Sequence, residues 1–280
     1  MRSLLSVPAD RPRMLENARS SEADVIIYDL EDAVAPSAKA EARAMLAAHL
    51  AGQERGKSAT AIRINGLRTK WCRDDIAVAA TACPDYVMLP KVQGPEDLQQ
   101  LDTLLSPLES RQTSIGVMTV ATETVAGTLS LTQDAWRHPR LKAMLWGSED
   151  LAADLGSTGN RLLSGEYSSP FRLARDLCLM AAKRVGLVAI DAVYTDFRDP
   201  DGLWAEAAQA RRDGFDAKAA IHPSQVAVIN EVFRPSAEEI AWAERVLAAF
   251  SSAGTSVVVV DGVMIDAPHA ARARRILSLA

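Results

Sequence analysis

The chain has little cysteine, little histidine and few aromatic residues: 3 Cys, 4 His and 5% Phe, Trp and Tyr in 280 residues. Cys72, Cys83 and Cys178 form no CxxC pair and no Cys/His cluster. An odd, scattered set argues against a disulfide framework and fits a reducing, cytoplasmic setting. It also leaves no Cys or His at the spacing a zinc site needs. Basic residues are not in excess, with 31 Lys and Arg against 36 Asp and Glu. A nucleic-acid binder would show a basic excess or stripe, so none is expected as a partner. No apolar run is long enough to span a bilayer. The short apolar stretch at the N-terminus is cut off by Pro8 and Asp10, too early for a signal peptide. No GxGxxG or Walker A sequence occurs, so dinucleotide and nucleoside triphosphate chemistry have no support.

What the sequence does have is alternation. Short apolar runs stand at Leu4–Val7, Val25–Tyr28, Ala61–Ile64, Tyr86–Leu89, Ile115–Val120, Ala143–Trp146, Leu187–Ile190 and Ala217–Ile221. Helically spaced segments such as Lys39–Leu50 and Phe171–Val185 lie between them. That pattern predicts βαβ units on a parallel sheet, and eight of them favour a closed (β/α)₈ barrel of the TIM type over an open sheet. The barrel is expected over 1–235. A C-terminal, mainly helical extension is expected over 236–280, with helices at Ser236–Phe250 and Pro268–Leu279. Between them lie a small-residue break at Ser251–Gly254 and a β-prone stretch at Ser256–Asp261. This extension reads as a lid or as an arm for contacts between subunits.

The polar residues fall just after the apolar runs. Asp29, Glu31 and Asp32 follow the second, Arg63 and Asn65 the third, and Lys91 the fourth. Thr122 and Glu123 follow the fifth, and Gly147, Ser148, Glu149 and Asp150 the sixth. Asp191 ends the seventh and His222 the eighth. In a (β/α)₈ barrel these positions share one rim, where active sites are built. Any one of these acids is equally well explained as a helix cap, and His222, just before Pro223, reads as structural. Capping explains the gathering of so many on one rim less well. Carboxylates without Cys, and with few His, suit a hard cation such as Mg²⁺, which takes one or two carboxylates and keeps water and substrate oxygens. Arg63 beside such a metal suits a substrate carboxylate through a bidentate fork.

The residues that carry chemistry also resemble a known family. RSLLSVPADRPRM (2–14), YDLEDAV (28–34), IRIN (62–65), LPKV (89–92) and TET (122–124) match, as do GSEDLAADLG (147–156), AIDAV (189–193), IHPSQV (221–226) and GVMIDAPH (262–269). In that order they resemble the citrate lyase β-subunit-like proteins, within the citrate lyase/malyl-CoA lyase/HpcH aldolase superfamily. The resemblance implies a TIM barrel whose Mg²⁺ is held by Glu123 and Asp150, with Glu31 and Asp32 near its waters. It implies that Arg63 grips the substrate carboxylate and that Gly147 lines the same site; Lys91 joins the substrate-binding candidates from its place on the rim. It implies that Asp266 acts in catalysis, contributed to the site of a neighbouring subunit in a homotrimer or hexamer.

The activity so implied is Mg²⁺-dependent retro-Claisen cleavage of a β-hydroxyacyl thioester of the citramalyl-, malyl- or citryl-CoA type to a 2-oxo acid and acetyl-CoA. Hydrolysis of malyl-CoA, action on an acyl-carrier subunit in a complex, a CoA-independent aldolase and a non-catalytic paralogue are the alternatives. Arg2, Arg11 and Arg13 are candidate phosphate partners. Two departures stand out. Pro8-Ala9-Asp10 lacks the family's usual glycine, and Thr122 replaces a bulky apolar residue, implying a smaller and more polar pocket.

Overall fold

The computed structural model describes residues 1–51, 56–109, 114–253 and 257–280. It divides into two units, Met1–Asn230 and Glu231–Ala280. In the first, eight strands close in sequence order: β1 (Ser3–Pro8), β2 (Val25–Asp29), β3 (Ala59–Arg63), β4 (Tyr86–Leu89), β5 (Gly116–Val120), β6 (Leu141–Leu145), β7 (Val188–Asp191) and β8 (Ala217–Ala220). Every neighbour is parallel, and β1 pairs with both β2 and β8. This is the (β/α)₈ barrel that the alternation predicts.

Side chains alternate across each strand. Val25 and Ile27, Met118 and Val120, Ala143 and Leu145, and Ala217 and Ala219 fill the bore as one buried cluster. Their neighbours Ile26, Ile62 and Val87 are buried on the other face, toward the helices. Apolar residues on both faces give the near-continuous apolar runs that make a parallel strand readable. The connecting helices are α1 (Pro12–Ala18), α2 (Lys39–Leu50), α3 (Cys72–Ala82), α4 (Glu96–Leu105), α5 (Val125–Ser130), α6 (Glu149–Leu155), α7 (Ser169–Arg184), α8 (Pro200–Asp213) and α9 (Pro223–Val232). Among the described residues, no helix is long and apolar enough to cross a membrane.

One strand residue defies its pattern. Lys218 lies in β8 and is 0% exposed. Its ammonium donates to Asp191 Oδ2 at 2.6 Å, Ala192 O at 2.7 Å and Glu206 Oε1 at 2.9 Å. Asp191, also buried, accepts from Trp146 Nε1 at 2.7 Å and from Arg175 Nε at 3.2 Å. Burial opposes its charge, but these cations and donors outweigh it and hold its carboxyl below the usual range.

The second unit contains α10 (Ala237–Ala253), a hairpin of β9 (Val258–Val260) and β10 (Val263–Ile265), and α11 (Ala267–Ser278). The hairpin turns on Asp261 and Gly262, both at positive φ. An Asp-Gly pair between β-branched runs favours that turn. The extension is therefore part strand, whereas the sequence reading gave weight to its helices. Gly254 and Ser256, in the break and β-prone stretch read from sequence, lie outside the described residues. Ala243, Val246, Val258, Ile265, Ala273 and Ile276 are in its core.

Candidate active site

The C-terminal ends of β2 to β4 form one side of the site. Asp29 ends β2 and is 0% exposed. Arg63 ends β3 and donates to it from Nε (2.8 Å) and Nη2 (2.5 Å), a two-point fork. Arg63 Nη1 is 3.3 Å from Glu31 Oε2. Burial opposes the Arg63 charge, but Asp29, Glu31 and Glu123 outweigh it and raise its pKa. The turn after β2 is pinned from behind. Lys39 Nζ donates to the carbonyls of Leu30 and Glu31 (2.8 and 2.7 Å), and Asn65 Nδ2 donates to Leu30 O at 2.8 Å. Lys91 follows β4, and its ammonium reaches Glu31 (2.5 Å), Asp32 (2.7 Å) and Asp150 (3.3 Å). Burial raises Glu31, with partial relief from Arg63 and Lys91. Burial also works against Asp32, but Lys91 outweighs it and lowers its pKa.

The other side comes from β5 and β6. Glu123, 4% exposed, follows β5. Lys91 adopts φ 53°, a left-handed conformation that costs a non-glycine residue about 1 kcal/mol or more. Its backbone N–H donates to Glu123 Oε2 at 2.5 Å. Even so, burial and the charge of Asp150 push the Glu123 carboxyl up to about 8. Thr122 does not make the pocket smaller or more polar, as its sequence position implied, because it does not line the cavity. It is fully buried, its hydroxyl accepting from Gly147 N (2.9 Å) and lying 3.2 Å from Gly147 O, where it donates. It ties the β5 turn to the β6 turn and so sets Gly147 against Glu123.

These groups surround a cavity of about 250 Å³. Arg63, Glu123, Asp32, Asp150, Gly147 and Glu149 line its upper part. Glu31 and Lys91 join them through the ion pairs above. Two other rim residues turn elsewhere. Asp191 is spent on the Lys218 network, and His222 stacks on Phe197 with ring centroids 4.8 Å apart. Arg2, a phosphate candidate, is paired with Asp24 at 2.9 Å. Asp266 belongs to the second unit; it caps α11 and pairs with His269 at 2.6 Å, its side chain 41% exposed.

Residues 2–223 match the family described as HpcH/HpaI aldolase/citrate lyase, and residues 172–280 a family described as carbon–carbon bond lyase of the TIM-barrel fold. This chain belongs to the HpcH/HpaI aldolase/citrate lyase family. Its relatives include a (3S)-malyl-CoA thioesterase from Cereibacter sphaeroides, 40% identical over 100% of this chain and 94% of that one. Among solved structures, CitE from Mycobacterium tuberculosis with magnesium, acetoacetate and coenzyme A is 34% identical, with a TM-score of 0.83 over 99% of this chain and 97% of that one. A citrate lyase β subunit from the same organism, with oxaloacetate and magnesium, is also 34% identical. It has a TM-score of 0.71 over 83% of this chain and 96% of that one. Family members are lyases acting on carbon–carbon bonds.

The donor set fits the family's metal. Among the described residues, no group of three or more His, Cys, Asp or Glu side chains is placed to hold an ion by itself. Two carboxylates completed by water and substrate oxygens is the arrangement Mg²⁺ prefers. Glu123 is buried with an acid beside it, which disfavours its charge until a cation arrives. Gly147 keeps the space beside it open. A Cβ there would meet Glu123 Cγ at 3.1 Å and Val120 Cγ1 at 3.2 Å. Gly147→Ala is therefore expected to weaken Mg²⁺ binding about tenfold by displacing the carboxylate, with the melting temperature of the metal-free protein nearly unchanged. Titration calorimetry and thermal melts check both halves.

The sequence did not show how these residues are supported. Asp29 was visible only as one more acid at a strand end; that it anchors Arg63 depends on β2 and β3 being neighbours in register. Lys39 looked like an ordinary first-turn residue of a helix, and Thr122 like a pocket residue. Only side-chain direction distinguishes these roles.

Proposed function

We propose that this protein is a Mg²⁺-dependent carbon–carbon lyase that cleaves a β-hydroxyacyl-CoA thioester, of the malyl, citramalyl or citryl type, into a 2-oxo acid and acetyl-CoA. The observation that carries this reading is the Arg63 fork, anchored by Asp29, opening on the same cavity as the Glu123–Asp150 pair. Glu123 and Asp150 would hold the ion, with Glu31 and Asp32 beside its waters. When bound, Mg²⁺ acts as Lewis acid and template for the oxygens of the oxo acid half.

Arg63 grips the substrate carboxylate and orients the carbinol carbon. The hydroxyl proton is lost to solvent, the bond to the thioester α-carbon breaks as the carbonyl forms, and the electron pair passes to the α-carbon, which takes up one proton in exchange. Asp266, from a neighbouring copy in a homo-oligomer, is the candidate for that proton transfer; its half-exposed carboxylate is open to such a role. Lys91 balances Glu31, Asp32 and Asp150 until substrate and metal arrive. The setting is cytoplasmic.

A second reading, thioester hydrolysis on the same site, is favoured by the 40% identity to a malyl-CoA thioesterase. The purified protein incubated with Mg²⁺ and malyl-, citramalyl- or citryl-CoA decides between them. The lyase reading predicts one equivalent of 2-oxo acid and of acetyl-CoA per substrate consumed. Free CoA with intact hydroxy acid would replace it by the thioesterase reading.

Metal binding should also depend on pH. A proton competes for Glu123, whose carboxyl is pushed up to about 8 without metal. Mg²⁺ affinity is expected to rise by up to about tenfold per unit from pH 6 to 8 and to level off above. Calorimetric titrations across that range test this, and a flat profile would show that Glu123 is not a ligand.

A further inference from the structure

We propose that this site takes substrates with one free carboxylate, with a small apolar substituent on the oxo acid half, and rejects those with two. The proposal rests on the lyase reading above and narrows it to the malyl and citramalyl type, excluding the citryl type.

The first support is an inventory of Arg63. A guanidinium has five N–H donors. Nε and one Nη2 donor are spent on Asp29. Because the group is planar, the edge between Nη1 and Nη2 remains, and it matches one carboxylate in a fork. Nη1 is already 3.3 Å from Glu31, so no further face is open for another anion.

The second support is the charge of the lining. Five charged residues line the cavity, and Arg63 is the one cation among them; Asp32, Glu123, Glu149 and Asp150 are acids. A divalent ion on Glu123 and Asp150 offsets those two, leaving Asp32 and Glu149. Lys91, the cation paired with Asp32 and Asp150, already serves three carboxylates. A first substrate carboxylate lies on Arg63, and a second would face acids with no partner.

The third support is the wall below. The apolar lining is Ile27, Met88, Val120, Leu145, Val193 and Ala219; the hydroxyls in the lining are Ser6 and Ser148, and Ser148 Oγ already donates to Glu149 Oε1 at 3.0 Å. The β8 residue on that wall, Ala219, is small and leaves that side roomy. Against this wall a hydrogen or methyl group is accommodated, while an unpaired carboxylate bears its full desolvation cost.

The test is binding, not turnover. Pyruvate and oxaloacetate are titrated into the wild-type protein with excess MgCl₂ at pH 8.5. Pyruvate is expected to bind at least ~10-fold tighter. Oxaloacetate is a demanding competitor, because it was found with magnesium in the M. tuberculosis citrate lyase β subunit. Equal or tighter oxaloacetate binding would overturn the single-carboxylate proposal and leave the lyase reading standing. Binding of neither acid would overturn both. Val193→Lys places a cation on the partly buried wall. It is expected to raise oxaloacetate affinity ~10-fold or more relative to pyruvate; no relative gain would show that charge does not set the exclusion.

Discussion

Glu123→Gln is expected to abolish turnover, by at least about 10³-fold in kcat/KM, and to raise the melting temperature of the metal-free protein. The two effects have one cause. Glu123 is buried beside Asp150, and its carboxyl moves from an ordinary 4.5 to about 8 in the fold. A carboxyl whose folded pKa is raised binds its proton more tightly when folded. Stability therefore falls as pH rises from about 4.5 through 8, and the full cost is present above 8. Glutamine keeps the shape and can still accept from Lys91 N–H, but it carries no charge. At pH 8.5 without metal the variant should be more stable by on the order of 2–4 kcal/mol, several degrees in Tm. At pH 4 the two proteins should melt together. Excess Mg²⁺ should reverse the order, since a ligand at 100 times its Kd stabilises the protein that binds it by about 2.7 kcal/mol. Losing a Lewis-acid metal removes several kcal/mol of transition-state stabilisation, and each 1.36 kcal/mol is tenfold in rate. Melts at two pH values, with and without Mg²⁺, beside a steady-state assay, test the whole pattern. A variant that melts lower than wild type in metal-free buffer at pH 8.5 would contradict it.

Arg63→Lys is the second large effect. An ammonium is a point charge and cannot present a fork to Asp29 and another to substrate. Asp29 is 0% exposed and would keep only the Glu31 backbone N–H at 2.8 Å and one weaker cation. Breaking a buried pair outright costs about 3–5 kcal/mol, and this partial loss is expected to cost about 2–3. kcat/KM is expected to fall about 10²–10³-fold through lost orientation of the substrate carboxylate. Mg²⁺ affinity should change by less than about threefold, because Glu123 and Asp150 are untouched. Calorimetry on the folded variant separates these terms. A large loss of metal binding would mean that Arg63 acts through the metal site rather than on substrate.

The barrel was legible because its strands are buried on both faces. Tyr86–Leu89 is bounded in the structure as in the sequence, and the other seven strands differ only by a few residues at their ends. The rim was legible for the same reason, since chemistry follows the last apolar residue of each strand. Direction was not legible. Asp191 and Asp150 both follow apolar runs, yet one is locked against Lys218, Arg175 and Trp146 while the other lines the cavity. Lys218 hides inside an Ala-rich strand, and its partners come from the strand and helix just before it, at positions that sequence spacing does not bring together. Thr122 makes its bonds across two turns separated by 25 residues. In the second unit the long helices dominated the pattern, and the hairpin was visible only as a β-prone stretch before Asp261-Gly262.

The most direct test of the central claim is a crystal structure of this protein grown with Mg²⁺ and pyruvate at pH 8.5. The predicted result is one metal ion ligated by Glu123 and Asp150, with the pyruvate carboxylate on the open edge of the Arg63 guanidinium. A metal bound without Glu123, or pyruvate held away from Arg63, would contradict it.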